Sequence, residues 1–282
     1  MKQKNYEKRP LSGKKESKLP KWITDHFKDS LHSLELLMQI SDISARGISV
    51  VRGMPKIIEV LTEVEGSKQN PSSIVKLHHA RKSAELANTE FEKDFPVLNG
   101  FVVVALWSWL EHFVKGFVAL WIRHRRVALE VPAVLKLRVK LGEYLLLSKA
   151  EQAEFLVELL EQDLSSALKR GITRFESLLN PFGLSFQFSE KNSKNIFELQ
   201  QVRNVIAHRN SHADKRICAE CPWLKLKINQ PVLVSSKMVR NYADSSAGFL
   251  LALLYQVGDL YGVNLRSEES EIISLENVQE ER

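Results

Sequence analysis

The chain has 282 residues, 44% of them hydrophobic, enough to bury roughly three quarters of its unfolded surface without disulfide or metal staples. Two cysteines argue against a disulfide framework and fit a reducing cytoplasm, and the length suits one large domain with extensions better than two independent ones. The net charge of +6 is uneven: residues 1–21 hold eight Lys/Arg against two Glu, and residues 265–282 hold two Arg against six Glu.

Residues 1–21 contain no apolar core, so no signal peptide is expected. This basic arm reads equally as a solvated tail and as an aid to holding a nucleic-acid backbone. Residues 22–70 form a helical extension: Leu34, Leu37, Met38, Ile40 and Ile43 recur at helical spacing, with breaks expected at Gly47 and at Gly53 to Pro55. The main domain is expected over residues 71–264. Ser73 to Phe95 reads as a helix burying Ile74, Leu77, Ala84 and Phe91 and ending before Pro96.

Residues 97–123 are apolar all round, which implies a central helix. The run is long enough to cross a bilayer, but Glu111, His112 and Lys115 sit near its middle, where Asp or Lys costs about 2.5–3.5 kcal/mol. Glu111 and Lys115 are also spaced to pair on one helix face. The apolar run 247–262 is too short to span and contains Asp259, so no membrane partner is expected. Arg123 to Arg126 place cations where a helix C-terminus favours them.

Ser148 and Glu151 have capping-box spacing and open a helix expected to reach about Leu179, with Leu156, Leu160, Leu164, Leu168, Ile172 and Phe175 facing inward. Leu184, Phe186 and Phe188 alternate like a short strand. Asn195 and Glu198 have the same capping-box spacing and are expected to open the run FELQQVRNVIAHRN. Residues 223–234, broken at Asn229 to Pro231, are compatible with a small β-hairpin before the last helix. The fold class is mainly α, a helical bundle.

The run FELQQVRNVIAHRN carries the chemistry. Asn204 and His208 are four apart and share a helix face; Arg203 and His208 are five apart and do not stack. For both to meet one phosphate, the arginine must reach sideways or the helix must unwind near His208. The polar run from Arg209 to Asp214 reads as a helix end. A histidine titrates near neutral pH and can pass protons, while a guanidinium holds two phosphate oxygens and stays charged. RNA supplies its own nucleophile, the 2′-OH, so these two groups suffice to cut it without a metal.

At Arg203, Asn204 and His208 the chain resembles the HEPN superfamily, whose mark is Arg-x(4–6)-His with a polar residue after the arginine. The order of an apolar helix with an embedded acid, a connecting helix, the motif helix and a closing helix extends the resemblance over about residues 75–262. The resemblance implies a HEPN-type bundle with extra N-terminal helices and a metal-independent endoribonuclease. It further implies 2′,3′-cyclic phosphate ends, no cofactor, and a homodimer with both motifs lining one cleft. His208 would then be the general acid/base, Arg203 the phosphate clamp, and Asn204 a residue orienting the histidine or touching substrate. Glu111 would be the inner-helix polar residue fixing Arg203 or His208, its alternative being a pair with Lys115. Arg209 and His212 are candidates for phosphate binding, beside the alternative of a solvated helix end.

The resemblance further implies a toxin or phage-defence effector with an antitoxin or other partner, the alternative being a catalytically silent module that binds nucleic acid or a partner protein, since many family members have lost catalysis. Two residues after the histidine, some HEPN toxins carry a tyrosine modified by a partner enzyme; here Asn210 stands there, against that form of control. Cys218 and Cys221, with His208 and His212, make four zinc-ligand types on paper. With one Cys pair only, the two are read as ordinary thiols and no metal is expected.

Overall fold

A computed structural model describes residues 18–67, 70–165 and 170–266, and these contain eleven α-helices, three short 3-10 turns and no strand. The basic arm before residue 18, the acidic tail after residue 266 and the side chains of Leu164 and Leu168 lie outside the described residues. The helices are α1 (Lys21–Val51), α2 (Met54–Val64), α3 (Pro71–Glu92), α4 (Pro96–His124), α5 (Pro132–Leu135), α6 (Leu141–Leu146), α7 (Lys149–Ser165), α8 (Ile172–Leu179), α9 (Glu190–Arg209), α10 (Lys215–Glu220) and α11 (Ser236–Tyr261). The fold is a mainly α bundle.

The bundle is built around α4, against which α1, α7, α9 and α11 pack. Pro96 sits in its first turn, and the buried Glu90 carboxylate accepts from the free Val97 and Leu98 amides at 3.1–3.4 Å. Trp107, Leu110, Phe113 and Phe117 are each 1% exposed or less, and they join Ile23 and Phe27 of α1 in one core. The start of α1 therefore shares that core and does not form a separate layer.

Several expected boundaries move. Helix α1 runs through Gly47 and stops only before Gly53, with Pro55 in the first turn of α2. On α3, Ala84 is buried and Leu77 half-buried, but Ile74 and Phe91 are exposed. The single helix expected over 148–179 is described as two, α7 ending at Ser165 and α8 starting at Ile172, directly after Gly171 (φ +56°). The capping box at the start of α7 does form: Glu151 accepts from the Ser148 amide at 2.7 Å. Leu184 to Phe188 form no strand; Phe186 and Phe188 instead pack on Phe249 at 5.1 and 5.7 Å.

The expected hairpin is also absent. Residues 227–230 close a tight turn (the Gln230 amide donates to the Lys227 carbonyl at 3.0 Å), but the segment beyond it pairs with 211–213: Ala213 donates to the Gln230 carbonyl (2.9 Å) and Val232 to the Ser211 carbonyl (2.7 Å), around an isolated bridge from His212 to Pro231.

Candidate functional site

The motif helix α9 begins earlier than the sequence spacing implies. Ser189 is its cap, accepting from the Asn192 amide at 3.2 Å. Asn195 lies inside the helix and donates to Ser245 of α11 at 2.9 Å, while the buried Glu198 carboxylate accepts from the Tyr242 hydroxyl at 2.6 Å and from the Trp223 indole. The second capping box is thus a packing device. Residue numbers rise on α9 as they fall on α11, so the two helices are antiparallel, locked by side-chain hydrogen bonds. Burial, then the adjacent Glu198 charge, pushes the Tyr242 phenol up, which keeps it a proton donor to Glu198.

Helix α9 stays α-helical through Arg209, beyond His208. It ends at Asn210 and Ser211, both left-handed (φ 47° and 59°), whose amides return to the Val205 carbonyl. The helix end expected at 209–214 is therefore present, but the unwinding that would bring Arg203 and His208 together is not. At 3.6 residues per turn, five residues turn the two side chains about 140° apart, with Cα atoms roughly 9 Å apart. Within one chain they point to different sides of the helix.

The end of α9 meets the starts of α4 and α11. The Ile206 methyl lies 3.7 Å from the position a Gly100 Cβ would take. Asn99 donates to the Val234 carbonyl at 3.0 Å, and Asp94 accepts from the Ser236 amide and hydroxyl at 2.7 and 2.6 Å. Arg203 is half-buried: its Nη1 donates to the Asn204 side-chain oxygen at 3.2 Å, and its buried Nε has no hydrogen-bond partner. His208 is exposed and, among the described residues, makes no hydrogen bond or ion pair.

The remaining candidates fall unevenly around this point. Arg209 is exposed and pairs loosely with Asp214 (3.6 Å); His212 is exposed, its Nδ1 donating to the Asn210 carbonyl at 2.7 Å. Glu111 pairs with Arg174 of α8 at 2.6 Å, and Lys115 with Glu161 of α7 at 2.6 Å. The Glu111–Lys115 pair expected from spacing does not form, and no hydrogen bond joins Glu111 to Arg203 or His208 among the described residues. Burial pushes the Glu161 carboxyl up, but Lys115 and Arg174 outweigh it and hold the group low.

The segment from the motif to the first turns of α11 is more basic than the overall charge count suggests. Residues 203–240 hold eight Lys/Arg against Asp214 and Glu220, a net of +6. Lys215, Lys225, Lys227, Lys237 and Arg240 are exposed and have no carboxylate partner among the described residues. Counting charge by segment on either side of the motif, rather than at the termini alone, would have found it.

Cys221 is buried at the end of α10, and burial pushes its thiol up to about 12, with the Glu198 charge adding to the shift. Among the described residues no three His, Cys, Asp or Glu side chains gather as a metal site. Compared with known proteins, the chain matches no family model, no curated sequence and no solved structure.

Proposed function

We propose that this chain is a metal-independent endoribonuclease of the HEPN type, acting as a toxin or phage-defence effector. The observation that carries this reading is the pairing of an exposed His208, unpartnered among the described residues, with a half-buried Arg203 at the end of one helix, in a segment (203–240) of net charge +6. His208 is free to exchange protons with the 2′-OH or the 5′-leaving oxygen. Arg203, held against Asn204, offers a charged donor for a phosphate oxygen, and the surrounding cations hold the RNA backbone through counterion release.

Because Arg203 and His208 diverge by about 140° on one helix, the reaction site is completed by a second copy whose motif faces the first. Two exposed apolar side chains beside the motif, Val97 (57%) and Phe101 (69%) at the start of α4, offer surface for that contact. Each copy then supplies one histidine, one serving as base and the other as acid.

The same divergence favours a second reading, a catalytically silent module that binds nucleic acid or a partner protein through this basic end. Incubating end-labelled total RNA with wild type and His208→Ala separates the two. Loss of cleavage with retained RNA binding supports the nuclease; binding without cleavage by either protein supports the module.

A further inference from the structure

At the other end of α4, roughly 40 Å from the motif by helix length, the chain leaves the core as a 3-10 turn (Arg126–Glu130), α5 and α6. Ala128 and Val134 anchor this stretch, yet Val127 (63%), Leu135 (69%), Leu141 (64%), Leu145 (64%) and Leu146 (88%) stand in solvent. Between Arg123 and Leu146 there are six Lys/Arg against Glu130 and Glu143. Arg123, Arg126 and Arg138 are exposed and have no carboxylate partner among the described residues, while Lys136 and Lys140 pair with Asp163 and Glu143. Beside this stretch the Trp22 ring, near the start of α1, stacks on His124 at 4.8 Å.

Exposed aliphatics ringed by cations select among partners. A nucleic acid matches the charge but has no use for five aliphatic side chains. Protein interfaces concentrate aromatic and Met side chains in their cores; the one aromatic here, Tyr144, turns inward to Phe155 at 6.2 Å. An anionic bilayer takes both parts, aliphatics at the acyl boundary and cations at the phosphates. The contrast with the other exposed apolar surface, on α2 and the second half of α1, is instructive. There, residues 35–65 hold five acids against three bases, which gives no attraction to an anionic surface.

We propose that residues 123–146 form a peripheral docking surface for an anionic phospholipid bilayer, with the basic motif end facing away from it. This departs from the expectation of no membrane partner, and it does not depend on the nuclease reading.

The test is sedimentation of the full chain with vesicles of phosphatidylglycerol and phosphatidylcholine, and with phosphatidylcholine alone. Beside it run the variants Leu145→Asp/Leu146→Asp and Arg123→Glu/Arg126→Glu/Arg138→Glu, whose sites are all exposed and whose folding is checked by thermal melting. Binding only to the anionic vesicles, weakened by salt, by the Leu variant and by about fivefold per removed cation, is expected. No binding to anionic vesicles, or equal binding by all three proteins, overturns the proposal. So does a Leu variant that keeps its lipid binding but falls in solution mass, which makes the patch a contact between copies. A variant that loses RNA affinity with lipid binding unchanged assigns the surface to nucleic acid.

Discussion

Asn204 and His208 share a face at the exposed end of α9, whereas Arg203 is half-buried, donates to Asn204 and keeps a buried, unpartnered Nε. Replacing His208 with Ala is expected to lower RNA cleavage by about 10²-fold or more, the usual worth of positioned proton transfer, without shifting thermal stability. Arg203→Lys keeps the charge but loses the fork, and is expected to weaken cleavage more than RNA binding. Tyr242→Phe leaves the buried Glu198 carboxylate short of one donor and should cost about 1–3 kcal/mol in chemical denaturation. The residue types of the motif, and the mismatch between Arg203 and His208, were readable from spacing alone. The role of Glu198 was not: an Asn and an acid three apart look the same whether they cap a helix or cross-link one, and only the placement of Tyr242 and Trp223 decides.

At the scale of elements, helix α4 was legible end to end because it is apolar all round and bounded by Pro96 and a basic last turn. The break between α7 and α8 was hidden inside continuous helical periodicity. Just before α8, Gly171 takes φ +56° and packs against Phe197, where an added Cβ would lie 3.0 Å from the Phe197 Cα. Its amide donates to the buried Gln200 side chain at 2.6 Å, which fixes the turn against the motif helix. Gly171→Ala is therefore expected to destabilise the protein by about 1–3 kcal/mol in denaturant titration. Residues 223–234 looked like a hairpin because their alternation is real. Their partner is the 211–213 segment that ends the motif, and nothing local in the sequence distinguishes the two pairings.

Over the whole molecule, the N-terminal helix belongs to the same core as the motif helix, through Ile23, Phe27 and His26. His26 lies between Phe113 and Phe117, its Nε2 3.0 Å from the Phe113 carbonyl, and burial lowers its pKa below the ordinary 6.5. Above that pH the ring is neutral in folded and unfolded chains alike, and its contribution to stability is complete. As pH falls below 6.5 the unfolded chain binds a proton that folded His26 resists, so stability declines until the folded-state value is passed. Denaturation midpoints measured across this window should fall with pH, and a His26→Gln variant should flatten the slope.

The central claim is that Arg203 and His208 cut RNA without a metal. It is tested most directly by mapping the ends left on RNA after incubation with purified protein in EDTA, beside Arg203→Ala and His208→Ala. New 2′,3′-cyclic phosphate and 5′-hydroxyl ends from the wild type alone are predicted. Identical ends from all three proteins, or none from any of them while RNA is still bound, would contradict it.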